Sequence, residues 1–297
     1  MALIVNHNLM AMTAARNLNS AYSALSVSTN RLSSGLRINS AADDAAGLAV
    51  RELMRSDIST LNQGVRNAND AISLIQTADG ALSVIDEKLI RMKELAEQAA
   101  TGTYNSVQRL IIDSEYQAMA SEITRIANAT DFNGIHLLNG NLSGESSLHD
   151  GSGLTSTGPL KVHFGTANDE LEDYYYISIG NSSASALGVG NSSSQDAGYS
   201  ISTQQAAQQA LEALDQAIIS KDKIRAALGS LQNRLENTVS NLQIQSENMS
   251  AAESRISDVD VATEMTEYTK QQIITQMATA MLSQANSLPQ LALQLLS

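Results

Sequence analysis

A chain of 297 residues with a net charge of −13, no Cys, no Trp, two Pro and 3% aromatic residues does not read as a compact globule. The lack of Cys excludes disulfides and thiolate chemistry, and the acidic balance argues against nucleic acid and anionic membrane as partners. No run reaches the ~18 apolar residues of a membrane span, and the opening Met-Ala-Leu-Ile-Val-Asn-His-Asn lacks the basic region of a secretory signal.

From Ala11 a weak apolar stripe reads Ala11, Ala15, Leu18, Tyr22, Leu25, Thr29, Leu32, Leu36, in steps of four and three. Small and polar residues hold several of its positions, so this helix depends on packing for its stability. It breaks near Ser33-Ser34-Gly35, and Asn39 to Asp44 supplies side chains able to cap the next helix. The strongest pattern of the chain then runs from Asp44 to Thr101. Met54, Ile58, Leu61, Val65, Ala68, Ile72, Ile75, Leu82, Ile85, Leu89, Met92, Ala96 and Ala99 form a coiled-coil seam of about six heptads. One gap of seven around Asp79-Gly80 predicts a register break. A continuous helix of this length would extend roughly 85 Å and needs partner helices as long as itself. Gly102 is expected to end it as a left-handed cap, and a second helix over 106–129 returns antiparallel.

Composition changes over 132–200, where eleven of the seventeen glycines fall between Gly134 and Gly198. Leu160 to Phe164 and Tyr174 to Ile179 read as strands of a small hairpin region, with flexible loops at 141–158 and 181–198. These acidic loops read as solvated surface or, alternatively, as glycan acceptors. Helix resumes over 203–250 with a seam of Leu214, Ile218, Leu228, Leu231, Leu235, Leu242 and Met249. After Asp258-Val259-Asp260 a last segment carries Met265, Tyr268, Ile274, Met277, Met281, Ala285 and Leu288 at helical spacing, most simply read as seam residues.

Chemistry is scarce. His7, His136, His149 and His163 include no i,i+4 pair for a metal, and neither Asp43-Asp44 nor Asp258-Val259-Asp260 continues into a calcium loop. Helix capping explains both. No nucleophile set and no phosphate loop stands out, so no enzyme and no cofactor are expected. The fold class is mainly α: long antiparallel coiled-coil-like rods built from both ends of the chain, with a small β-hairpin subdomain in the middle. Residues 1–43 with 257–297 form a terminal-helix pair, and 44–256 form the rod domain. A pair of weak terminal helices leaves apolar surface exposed, and a contact that does not close builds a filament. The expected assembly seam is Leu18, Tyr22, Leu25 and Leu32 with Ile274, Met277, Met281 and Leu288. A helical adaptor that binds a partner's helices is the reading from another class.

The residues also resemble a known family. The first eight residues, Leu32-Ser-Ser-Gly-Leu-Arg-Ile-Asn-Ser-Ala-Ala-Asp-Asp-Ala-Ala-Gly-Leu48 and Asp131-Phe-Asn-Gly-Ile-His-Leu-Leu138 are similar to the N-terminal region of bacterial flagellin. Glu253-Ser-Arg-Ile-Ser-Asp-Val-Asp-Val-Ala-Thr-Glu264 and Gln284-Ala-Asn-Ser-Leu-Pro-Gln290 are similar to its C-terminal region. The short middle implies that the large outer domains are missing or nearly so. The resemblance implies a homopolymeric filament subunit, exported by the flagellar type III apparatus and located outside the cell. It implies as partners an export chaperone on the C-terminal segment, the filament cap and the hook-junction proteins. Leu89-Ile-Arg-Met-Lys-Glu-Leu-Ala-Glu-Gln98 matches the stretch by which Toll-like receptor 5 senses some flagellins, which makes Arg91, Leu95 and Glu115 its expected contacts. A hook–filament junction protein is the rival within the family.

Overall fold

A computed structural model describes residues 7–143, 158–169, 172–190 and 198–296, with side chains up to 287. Five helices dominate: α1 (Leu9–Ser34), α2 (Ala45–Ala100), α3 (Ser106–Ala129), α4 (Gln204–Ser257) and α5 (Val261–Leu296). Two antiparallel hairpins lie between α3 and α4: β1 (Asp131–Phe132) with β2 (Ile135–His136), and β3 (Leu160–His163) with β4 (Tyr174–Ile177). Packing divides the chain into two compact units, residues 1–58 with 247–297, and residues 59–246. The helix breaks themselves lie between α1 and α2 and between α4 and α5. The division by packing falls deeper, so the first turns of α2 and the last of α4 count with the terminal helices.

The unit of residues 59–246 is built on the α2 seam. Leu61, Ala68, Ile75, Leu82, Ile85, Leu89, Met92, Ala96 and Ala99 are all buried. The gap at Asp79-Gly80 does not interrupt the helix. Ala78 is buried in it, and the buried face broadens to Ala71, Leu74, Ile75 and Ala78 before the stripe resumes. The break is therefore a three-residue shift of phase within a continuous helix.

α4 runs antiparallel to α2, with ion pairs Asp79–Arg225, Asp86–Lys221 and Lys93–Asp215 bridging the two at descending α4 numbers. Ala207, Ala210, Leu214, Ala217, Leu228 and Leu235 line its buried side. Lys221, absent from the expected seam, falls on the same three-and-four spacing and is only 2% exposed. Its ammonium reaches Asp86 of α2 and Asp222, the latter at 2.7 Å.

α3 returns along α2 from a capping box in which the Asn105 and Gln108 side chains accept each other's backbone N–H. Gly102 does not adopt the left-handed backbone expected of it. Arg109 ends α2 instead, donating to the carbonyls of Ala99 (2.9 Å) and Thr101 (2.8 Å). A guanidinium that reaches two free carbonyls leaves no need for a glycine cap. Buried Tyr116 donates to the Gly198 carbonyl at 2.6 Å, and burial pushes its phenol pKa up, with Asp113 adding to the effect. Asp113 accepts the Ile201 N–H at 2.7 Å, so α3 holds the chain that enters α4.

The β3–β4 hairpin pairs Leu160 with Ile177 and His163 with Tyr174. It is seated on α2 by Asn67, which donates to the His163 carbonyl at 2.8 Å, and Arg234 of α4 lies over the Tyr175 ring. Of the two expected flexible loops, most of 141–158 and all of 191–197 lie outside the described residues. Residues 181–190 are not a solvated loop: Ser182, Ala184, Leu187 and Val189 are buried, so Leu187 and Val189 draw the segment into the core.

Two glycines of α2 give opposite expectations. At Gly80 an added Cβ meets nothing within 4 Å, whereas at Gly64 it falls 2.0 Å from the Phe164 carbonyl oxygen. Gly80→Ala therefore gains helix propensity of about 1 kcal/mol. In Gly64→Ala that gain is outweighed by an overpacking cost of about 1–3 kcal/mol, because a backbone carbonyl must move. Urea unfolding followed by circular dichroism should place Gly80→Ala above the wild type and Gly64→Ala below it.

Candidate functional site

In the unit of residues 1–58 with 247–297, α1 and α5 pair antiparallel. Asn8 at the start of α1 donates to the Ala285 carbonyl at 2.7 Å, and Arg31 near its end faces Glu264 at 3.7 Å. The contact between them is thin. Ala21, Ser28, Thr275, Glu264 and Ala285 are its buried residues, most of them small or polar. Leu18, Leu25, Leu32 and Ile274 are half-buried along it. Tyr22, expected in the same stripe, is 50% exposed, because the buried line runs through Ala21 and Ser28, one residue earlier. The methionines depart from the seam reading. Met265, Met277 and Met281 are exposed, together with Leu9, Met10 and Met12. Met10, Leu9, Ile274, Met277 and Met281 line an open groove of about 520 Å³ between the two helices. Leu288 lies outside the residues whose side chains are described.

The joint of this unit is held by backbone. α1 ends on Gly35 in a left-handed cap, with its N–H on the Arg31 carbonyl at 2.8 Å. Leu36 and Asp258 form an antiparallel bridge, the Arg37 N–H donates to the Ser257 carbonyl (2.6 Å) and the Val259 N–H to the Gly35 carbonyl (3.0 Å). Asp44 caps α2 by accepting the Gly47 N–H at 2.9 Å, and Asp260 caps α5 by accepting the Ala262 N–H at 2.9 Å. Asp43 closes the turn before α2, accepting the N–H groups of Asn39 and Ser40. Arg31 Nε, Ser257 Oγ and Glu264 Oε1 are buried at this joint without a hydrogen-bond partner.

The second surface lies on α2 and α3. Arg91 donates through Nε (3.1 Å) and an Nη (2.9 Å) to Glu115, and through its other Nη to Glu94 at 2.9 Å. Glu94, then Glu115, raise the already high pKa of Arg91. Ile90 and Ile111, one helical turn before Glu94 and Glu115, are exposed beside this cluster. Leu95 is not on it. It is 1% exposed, because α2 is covered by both α3 and α4 here and its buried face is wide enough to include Leu95 next to Ala96. It supports the surface from beneath and offers no side chain to another molecule.

Among the described residues no three His, Asp or Glu side chains converge as metal ligands, and no helix is long and apolar enough to cross a membrane. The family model of the bacterial flagellin N-terminal helical region matches residues 5–143, and that of the C-terminal helical region matches residues 211–296. The chain is 42% identical over 294 residues to the flagellar filament 33 kDa core protein of Treponema phagedenis, covering 99% of this chain and 100% of that one. The chain belongs to the bacterial flagellin family.

A flagellin of Bacillus subtilis is 41% identical over 308 residues, with 98% of this chain and 99% of the relative covered. In fold alone, the chain is similar to the structure of a putative flagellar hook-associated protein from Vibrio parahaemolyticus, with a TM-score of 0.54, 15% identity, and 73% and 100% of the two chains covered. Flagellins are structural filament proteins of the flagellum, not enzymes, which accords with the scarcity of chemistry in the sequence. On the Arg91 surface of this flagellin, sequence reasoning gave no contact role to the exposed residues Ile90, Glu94 and Ile111. The signal for Ile90 was an Ile placed off the heptad seam, which has no reason to be apolar on a solvated face.

The joint carries a pH signature. The N–H groups of Ser40 and Asn39 hold the Asp43 pKa below the ordinary carboxylate value, and the Thr263 and Ala262 groups do the same for Asp260. A depressed folded-state pKa contributes stability that is complete above the unfolded value and is lost as pH falls through the folded one. In an NMR titration the amides of Ser40, Asn39, Thr263 and Ala262 should therefore move with midpoints below about 3.9. Asp43→Asn and Asp260→Asn should each abolish the transition at their own pair of amides.

Proposed function

We propose that this flagellin leaves the cell unfolded through the flagellar type III apparatus and polymerises through the outer faces of α1 and α5 into the extracellular filament. The observation that carries the reading is the inverted character of that helix pair. Its fully buried residues are small or polar, while Leu9, Met10, Met12, Tyr22, Ile273, Met277 and Met281 are exposed. An apolar surface of this kind is stabilised when other copies cover it, and a heterologous contact repeated without closure extends into a filament. The export chaperone would cover the C-terminal segment before assembly, and the cap and hook-junction proteins would bound the polymer. Relatives that match over the full length carry flagellin or flagellar filament core protein names, which favours the filament over a junction role. Purified chain seeded under salting-out conditions should sediment as long tubes visible by electron microscopy, and a version lacking residues 1–43 and 257–297 should not. Equal sedimentation of the two would overturn the reading.

A second activity, recognition by Toll-like receptor 5, is supported by the Arg91–Glu115 pair with Ile90 and Ile111 beside it. Aromatic and arginine-centred patches with apolar neighbours carry interface energy out of proportion to their area. A receptor reporter should respond at least about tenfold more weakly to Arg91→Ala with Glu115→Ala, the loss typical of an interface anchor. An unchanged response would remove the receptor from the list of partners.

A further inference from the structure

Eight of the ten methionines of the chain fall in residues 1–58 and 247–297. A thioether is chosen over Leu where a surface must adapt, because it is unbranched and polarisable. That choice has a chemical consequence, since an exposed thioether is open to two-electron oxidants. Met10, Met277 and Met281 are 51%, 56% and 61% exposed and line the same groove, whereas Met92 in the α2 seam is 0% exposed.

We propose that Met10, Met277 and Met281 are sulfoxidation sites, and that their oxidation by hydrogen peroxide switches off the assembly face of the free subunit. The inference rests on the polymerisation reading given above and adds a modification to the same surface. In the reaction the sulfur lone pair attacks one peroxide oxygen. The O–O bond breaks, an S–O bond forms, the sulfur loses two electrons, and the other oxygen leaves as water after proton transfer from the attacked one. The product is a polar, chiral sulfoxide in place of an apolar side chain. Each such oxygen would enter a contact that has no donor prepared for it, and burying an uncompensated polar group is unfavourable. Once copies cover the groove the sulfurs are shielded, so the switch acts before assembly and not on the finished polymer.

The test uses the full chain. Free subunit is treated with limiting hydrogen peroxide, the sulfoxides are located by peptide mass spectrometry, and seeded polymerisation is followed by sedimentation. Oxygen should appear at Met10, Met277 and Met281 before Met92, and polymer yield should fall about tenfold, the size of one poorly compensated polar group per contact. Treatment with methionine sulfoxide reductases should restore it. In the variant Met10→Leu/Met277→Leu/Met281→Leu, a near volume-conserving change, polymer yield after peroxide should equal that of the same variant untreated, whatever its basal yield, although Met12 and Met265 still oxidise. Oxidised wild type that polymerises normally would overturn the proposal, as would a triple variant that loses polymerisation on oxidation. Should the triple variant fail to fold, the order of oxidation and the reductase rescue in the wild type still decide. Untreated wild type that never polymerises would count against the filament reading instead, and oxidation of Met92 ahead of the groove residues would count against this one.

Discussion

The constraint on which this structure depends is that α2 carries a long, narrow apolar stripe which it cannot cover by itself. A single helix exposes its stripe to water, and a stripe sustained over many heptads can be buried only by other helices laid along it. α3 is too short to cover the whole of α2, so α4, from the other end of the sequence, must complete the cover. The pairing of distant segments is then unavoidable, and the glycine-rich middle is what the chain can vary without disturbing it. The small hairpins are seated on this frame through Asn67 and the close approach permitted at Gly64, and do not organise it.

Thin seams of Ala and Leu have a weakness in register. Sliding α4 by one heptad along α2 would again match apolar with apolar. Lys221 speaks against that alternative. An ammonium in the seam requires an acid opposite, and Asp86 of α2 supplies it, whereas Asp222 is Lys221's own neighbour on α4 and follows it in any register. Arg225 on Asp79, one turn along, repeats the demand. Buried ion pairs add little net stability, since desolvation offsets much of their attraction, yet a polar residue at a seam position is a well-attested way to specify one alignment. The phase shift at Ala78 lies in the same stretch of α2, so the place where the apolar pattern is weakest as a guide is also where charge takes over.

Much of this was legible in the sequence because long periodic helices carry their own signal. The stripes from Leu61 to Ala99 and from Leu214 to Leu242 mark faces that are buried in the structure, and helix limits follow from the polar joints around Asp43 and Asp258. What escaped has a common cause. Arg109 in place of Gly102 as the cap of α2, Lys221 in the seam, and the burial of Leu95 and Val189 all depend on a second element lying against the first. A single helix viewed alone has one apolar face, but α2 is covered from two sides, and its neighbours decide how wide the buried face is. The family resemblance located Arg91 and Glu115, which the fold joins, while Leu95 required the packing to be seen.

The two terminal helices follow the opposite rule from the rods, and the contrast is what connects fold to function. In the rods the buried line holds large apolar residues such as Leu82, Ile85, Leu89 and Leu214, with the charged Lys221 among them. In α1 and α5 the buried line holds Ala21, Ser28, Thr275 and Glu264, while Leu18, Leu25, Leu32 and Ile274 are only half-buried and Leu9, Met10, Met12, Met277 and Met281 are exposed. At the joint, Arg31 and Glu264 meet only at 3.7 Å and leave buried polar atoms unpaired, so the backbone bridge between Leu36 and Asp258, more than the ion pair, fixes the geometry. Such an arrangement is poorly suited to a subunit that stays alone. It suits one whose free energy minimum lies in a polymer: the pair is ordered enough to present its groove, and too thinly packed to gain much until other copies cover it. On the assembly reading proposed above, thin packing of the terminal pair is what assembly would need, because a helix pair that had buried its Met and Leu residues internally would have no surface left with which to build.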